Sequence, residues 1–233
     1  MARVPEDPSP PSNPTPDAHR IAATGIASLD EVMGGGFRRE RLFLVEGDPG
    51  VGKTTLALQF LLEGVRLGES VLYVTLSETA RELAAAATAH GWDLGGVGIL
   101  ELLPGEESLT VDTQSTMFHP SEVELLEATR ALVARVEADR PARVVVDSLS
   151  ELRLLAGSPL RYRRQMLAYK QFFAQRKATV LLLDDRTAEE HDRHVQSIVS
   201  GVLHLEQTYP DYGGQRRRLR IVKYRAAEYR SGY

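Results

Sequence analysis

The chain has 233 residues, and its 28 Lys plus Arg against 32 Asp plus Glu leave a net charge of −4, so no basic excess advertises nucleic acid. It is long enough to bury a full core as one domain and has no apolar run approaching the roughly eighteen residues that cross a bilayer. It contains no cysteine, which excludes disulfides, thiolate chemistry and cysteine zinc sites.

Residues 1–20 are rich in proline and poor in large apolar side chains, too little to offset the entropy of ordering, so a disordered tail is expected ahead of one folded domain over 21–233. Proline and acidic residues also stand where the apolar centre of a secretory signal would lie; a cytoplasmic protein is the economical expectation. Thr24 to Met33 reads as a short capped helix stopped by Gly34, Gly35 and Gly36. Arg41 to Glu46 is then a β-type apolar run, and Thr54 to Leu67 carries Leu58, Leu61, Leu62 and Val65 at helical spacing.

Between that strand and that helix lies Gly47-Asp48-Pro49-Gly50-Val51-Gly52-Lys53-Thr54-Thr55, which fits the phosphate-loop pattern G-x-x-x-x-G-K-[ST]. Glycines let successive backbone N–H groups converge on an anion, the lysine reaches the β- and γ-phosphates, and the hydroxyl ligates Mg²⁺. All nine residues are candidate ATP ligands, with Thr54 a candidate metal ligand.

Further along, Ser70 to Leu76 and Val97 to Leu103 read as strands flanking a helix over Ala80 to His90. Residues 104–119 are polar and irregular, a long surface loop. Ser121 is placed to cap a helix reaching about Asp139, with Val123, Leu126, Leu132, Val133 and Val136 on one face. Arg143 to Val146 is a buried strand ending in Asp147, the acid that a phosphate loop requires beside its threonine for Mg²⁺; the alternative makes Asp147 or Ser148 a helix cap. A helix over Leu160 to Arg176 and an apolar strand over Thr179 to Leu183 follow. Asp184 and Asp185 after it either sense the γ-phosphate or simply end the strand. His191 and His194 share a helical spacing but lack a third ligand. Val199 to Gln207 and Arg216 to Tyr224 alternate like an antiparallel hairpin. In the second of these, Arg216, Arg217, Arg218 and Arg220 form either a solvated face or a contact for a neighbouring subunit or nucleic acid. Strands alternating with helices predict an α/β fold, a mostly parallel central sheet flanked by helices with a C-terminal antiparallel hairpin.

Taken together, Thr24-Gly25-Ile26 with Leu29-Asp30, the Gly34-Gly35-Gly36-Phe37 turn, the phosphate loop with Gln59-Phe60-Leu61, Gly91-Trp92-Asp93-Leu94, Val146-Asp147-Ser148-Leu149 and Val222-Lys223-Tyr224-Arg225 resemble the KaiC-like branch of the RecA superfamily of P-loop ATPases. The resemblance runs from about Thr24 to the C-terminus. It implies a RecA-like P-loop NTPase that binds ATP and Mg²⁺ and hydrolyses slowly. It also implies a hexameric ring of identical subunits with ATP at the interfaces, signalling to a protein partner by conformational change. Lys223 and Arg225 match the basic residues that this family supplies in trans, and two positions apart on a strand they project from the same face while Tyr224 packs inward. Where the family usually carries adjacent acids, this chain has Ser77 and Glu78; serine is no base at neutral pH, so Glu78 either polarises the attacking water or caps the helix beginning near Thr79. The family's phosphate-accepting hydroxyls match Gln196 and Ser197, leaving Ser197 as the acceptor of any autophosphorylation. Two other readings share the ATP core: a binding-only, nucleotide-gated scaffold, favoured by Ser77, and a DNA-binding recombinase relative, disfavoured by the acidic balance.

Overall fold

A computed structural model describes residues 20–103, 120–185, 193–209 and 212–225. Residues 1–19 of the tail expected over 1–20, the loop over 104–119, His191 and the turn residues Pro210 and Asp211 lie outside the described residues, as does the side chain of His194.

The chain enters through a two-stranded antiparallel hairpin, β1 (Ile21–Ala22) and β2 (Phe37–Arg38), that encloses α1 (Ala27–Val32). Two side chains replace a conventional cap there: Thr24 Oγ1 accepts from the Ile26 N–H at 3.0 Å, and Asp30 Oδ1 accepts from the Thr24 N–H at 2.8 Å. Strand β3 (Leu42–Gly47) leads through the glycine-rich loop into α2 (Lys53–Arg66), followed by β4 (Val71–Thr75), α3 (Ala80–Ala89) and β5 (Gly98–Glu101). Then come α4 (Pro120–Asp139), β6 (Arg143–Asp147), α5 (Leu149–Ala156), α6 (Pro159–Gln175), β7 (Thr179–Asp184), α7 (Arg193–Ile198), β8 (Gly201–Thr208) and β9 (Arg216–Tyr224).

Seven strands form one sheet in the order β5-β4-β6-β7-β3-β8-β9. Every pairing is parallel except β8 with β9. The expected α/β architecture with its terminal hairpin is what the chain adopts. Both faces of the sheet are covered, so its central strands are apolar throughout rather than alternating. Phe43 and Val45 face a core shared with Phe37, Leu58, Phe60 and Leu61, whereas Leu42 and Leu44 face one shared with Leu152, Met166, Phe173 and Val199.

Several boundaries and one element differ from expectation. Helix α5 was not anticipated as a separate element; its eight residues are too few to show a clear period, and Gly157 ends it at φ 64°. Ser158 caps α6, accepting from the Arg161 N–H at 3.3 Å. Helix α4 starts at Pro120, so Ser121 stands inside its first turn rather than at its cap. The segment from Thr187 to Ser197, polar and expected from the sequence to flank a loop, runs into α7.

At the end of the strands opposite the loop, the fully buried Arg143 donates to Glu69 at 2.5 Å, to the carbonyl of Ala23 at 2.6 Å and to that of Phe60 at 2.8 Å. Burial would raise the Glu69 pKa, but hydrogen bonds from Arg143 and Arg39 outweigh it and hold the carboxyl below its usual value. The contribution is therefore present above the ordinary glutamate range and lost as pH falls through the depressed value. Glu69→Ala should cost about 3 kcal/mol, since it strands a buried guanidinium. The urea midpoint should drop with unchanged slope, and the gap between the two proteins should narrow in acid.

Candidate functional site

Parallel strands deliver their C-terminal ends to one rim of the sheet, where a doubly wound fold places its ligand. Four neighbouring strands contribute here: β3 runs into the loop, β4 into Ser77 and Glu78, β6 ends at Asp147, and β7 ends at Asp184 with Asp185 following.

The loop is built for close approach. A Cβ on Gly47 would stand 2.4 Å from the carbonyl oxygen of Leu205 and 2.9 Å from Val51 Cγ2, so only glycine fits between β8 and the loop. Val51 is buried and anchors the loop in the core, while Asp48, Pro49 and Gly50 are exposed. Gly52, at φ 107°, occupies the N-cap position of α2 in the left-handed region that glycine alone adopts cheaply. No side chain caps α2 from that position, so its leading N–H groups are left to an anion. Arg217 of β9 brings Nη1 to 3.9 Å from where a Cβ on Gly52 would stand.

Lys53 is buried, and its ammonium donates to the carbonyls of Gly47 at 2.7 Å and Asp48 at 2.9 Å while pairing with Asp185 Oδ1 at 2.8 Å. Thr54 and Thr55, both half-buried, follow in the first turn of α2. Thr54 Oγ1 lies 3.5 Å from Asp147 Oδ2, and the buried Tyr73 hydroxyl donates to the same oxygen at 2.5 Å. The threonine and the acid that the sequence reading paired thus lie side by side; Tyr73 was missed, because an apolar strand gives no sign of which aromatic hydroxyl turns toward the rim. Asp147 belongs to β6 and is not a helix cap; Ser148 takes the N-cap position of α5 without a side-chain capping bond, and the peptide joining the two residues is cis.

Glu78 is half-buried and does not cap α3. Thr79 holds that position in a reciprocal arrangement, accepting from the Glu82 N–H while the Glu82 carboxylate accepts from the Thr79 N–H. The capping alternative for Glu78 is thereby corrected, and its carboxylate is left to the rim. Burial raises its pKa, and the charges of Asp147, Glu82 and Asp185 raise it further. Ser77 is exposed. Asp184 and Asp185 divide their work: Asp184 is buried and takes a 2.7 Å hydrogen bond from Arg153, and Asp185 turns to Lys53. The two neighbours thus have different partners.

Lys223 is half-buried and donates to the carbonyls of Gln196 and Val199, the latter at 2.7 Å, at the end of α7. Burial lowers its pKa, and the charges of Arg225 and Lys170 lower it further. Arg225 is exposed, whereas Tyr224 is buried, donates its hydroxyl to the Gly36 carbonyl at 2.7 Å and stacks on Phe43. Ser197 is exposed, 3.4 Å from Arg163 Nη1.

This rim suits Mg²⁺, a hard cation that takes hydroxyl and carboxylate oxygens, and the loop suits a polyphosphate. A phosphate loop on a parallel sheet, with its lysine, hydroxyl and strand-end acid in place, defines a P-loop nucleoside triphosphatase of the RecA type. The chain belongs to the KaiC ATPase family, whose profile, described as "ATPase: KaiC", matches residues 22–232. It is 28% identical to the circadian clock oscillator protein KaiC of Parathermosynechococcus lividus over 95% of its own length, although it spans only 43% of that protein. It is likewise 28% identical to a UPF0273 protein of Methanopyrus kandleri, covering 79% of this chain and 75% of the other. A crystal structure of a KaiC-like protein from Pyrococcus horikoshii OT3 superposes with a TM-score of 0.73 over 91% of this chain and 92% of that one; at 24% identity it speaks for the fold. Membership makes this an ATP-binding domain. Among the described residues, no helix is long and apolar enough to cross a membrane.

Two substitutions test the site. Lys53→Ala should remove most ATP affinity in a protein that remains folded, which calorimetry reads directly. Asp147 is the subtler case, because burial raises its carboxyl pKa and the Tyr73 hydrogen bond only partly offsets this. A raised acid pKa in the folded state means that stability falls as pH rises from the unfolded value through the folded one. Asp147→Asn should therefore melt higher without nucleotide at neutral pH, by about 2–4 °C per kcal/mol recovered, with the difference shrinking in acid. The same variant should lose the Mg²⁺-dependent gain in ATP affinity.

Proposed function

We propose that this chain is a Mg²⁺-dependent, slowly hydrolysing ATPase domain that forms a hexameric ring of identical subunits in the cytoplasm. ATP sits at the subunit interfaces, and the nucleotide state is passed to a protein partner by conformational change. The observation that carries the reading is the convergence of Lys53, Thr54, Asp147 and Glu78 on one rim. In this reading residues 21–233 serve as a single catalytic domain behind the proline-rich stretch 1–20.

In this reading the residues from Gly47 to Thr55 hold the phosphates, with the loop amides on the α- and β-groups and Lys53 on the β- and γ-groups. Thr54 and Asp147 would hold Mg²⁺, which would supply positive charge against the charge that develops on the phosphates. Glu78 accepts the proton of the attacking water. Its raised pKa makes it a stronger base than an ordinary carboxylate. Lys223 and Arg225 reach a neighbour's γ-phosphate in the manner of an arginine finger. Support comes from Tyr224, whose anchoring on Gly36 and Phe43 fixes the opposite face of the strand. The exposure of Ser197 supports it as the hydroxyl that would accept phosphate in an autokinase step.

A second reading, a nucleotide-gated scaffold without significant turnover, is favoured by the exposed serine at position 77. Turnover decides between the two: Glu78→Gln should abolish hydrolysis and spare ATP affinity, while a wild type that binds ATP without releasing phosphate would establish the scaffold. The trans assignment is tested by mixing Lys53→Ala with Arg225→Ala once each is shown to assemble. Activity should recover in the mixture, because some interfaces then combine an intact loop with an intact finger; subunit exchange without recovery would sink it.

A further inference from the structure

An ammonium has three N–H donors, and all three of Lys53 are matched by acceptors: the Gly47 and Asp48 carbonyls and Asp185 Oδ1. A phosphate oxygen that bonds this lysine must therefore replace one of them. Two are neutral backbone carbonyls of the loop, the weaker acceptors for a cation. The third is an anionic side chain, 32% exposed, on the residue that follows β7.

Resting on the reading of this loop as the nucleotide site, we propose that Asp185 sets the discrimination between nucleoside triphosphate and diphosphate by holding Lys53 where the γ-phosphate must go. The loop amides seat the α- and β-phosphates, and the lysine spans β and γ. A diphosphate takes one donor of Lys53 for its β-phosphate, in place of a neutral carbonyl, and leaves the charged contact to Asp185. A triphosphate takes a second, exchanging one anion for another at the donor that Asp185 holds, and leaves the displaced carboxylate beside its own charge. The crowding is already visible in the protein alone, because Asp185 lies close enough to Glu78 and Asp147 for its charge to act on both. Asp184, by contrast, is committed to Arg153 and Ser150 on α5, so the two consecutive acids are not interchangeable. The arrangement makes ATP binding more costly than ADP binding by the strength of one partly exposed, charge-assisted contact.

Asp185→Asn keeps the shape and removes the charge, and Asp185→Ala removes both. Calorimetry with ATP and with ADP, each with Mg²⁺, should show ATP tightening about three- to tenfold in both variants, with ADP changing less than about twofold, so that the ratio of the two affinities shifts toward ATP. An unchanged ratio, or an equal gain for both nucleotides, overturns the proposal. Lys53→Ala separates this from failure of the underlying reading. If that variant binds both nucleotides as the wild type does, the loop is not the site; if it loses them while the Asp185 variants leave the ratio untouched, the site stands and Asp185 has no part in selecting its ligand.

Discussion

One buried ammonium pairs with one of three carboxylates that crowd the rim of this sheet, and much of the site follows from that imbalance. Lys53 is directly paired with Asp185 alone, while Asp147 and Glu78 are left with raised pKa values, burial being the largest cause in each. Leaving like charges together in a partly desolvated cleft costs stability in the protein alone. A divalent cation would offset that cost, which is why an arrangement unfavourable to a ligand-free domain suits one that takes Mg²⁺ with a polyphosphate. Tyr73 moderates the strain by donating to Asp147, and its own hydroxyl is pushed well above its usual pKa by burial and by that carboxylate.

The opposite end of the same strands solves its charge problem within the protein. Arg143 stands at the start of β6, four residues before Asp147, and is fully buried. Glu69 neutralises it and is shared with Arg39, the Ala23 and Phe60 carbonyls both accept from Nη1, and the guanidinium lies over the Phe60 ring, with Nη2 left without a hydrogen-bond partner among the described residues. One guanidinium thus ties the entry hairpin, α2 and β6 into a single unit. Strand β6 is held firmly at the end where nothing need change and left electrostatically unsatisfied at the end where a ligand arrives.

The sequence disclosed what depends on local pattern. Spacing alone set out the loop from Gly47 to Thr55, the apolar run ending in Asp147, and the bounds of β9, because each is a contiguous signature with one physical meaning. Contacts that cross the sheet were not legible in the same way. Asp184 and Asp185 read as equals, yet one is drawn to Arg153 and the other to Lys53. Glu78 shared its reading with a helix cap until Thr79 and Glu82 were found to complete the cap between them; the Thr-x-x-Glu pattern starting at Thr79 was the available signal. Helix α5 was too short to show a period, and Tyr73 was one apolar-strand residue among several.

Farther from the loop, the face of β3 opposite α2 carries a polar connection through an otherwise apolar layer. Glu46, immediately before Gly47, is buried and accepts from the Gln196 side chain of α7 at 3.0 Å. The carbonyl of the same Gln196 accepts from Lys223 of β9. His204 of β8 brings Nδ1 to 3.5 Å from Glu46, and Glu206 pairs with Arg220. A buried carboxylate needs such partners to be tolerated, but here they also link the strand that enters the loop to the strand that carries Lys223 and Arg225. Because close-packed interiors transmit strain, these bonds set the loop strand and the segment carrying Lys223 in one contiguous polar network.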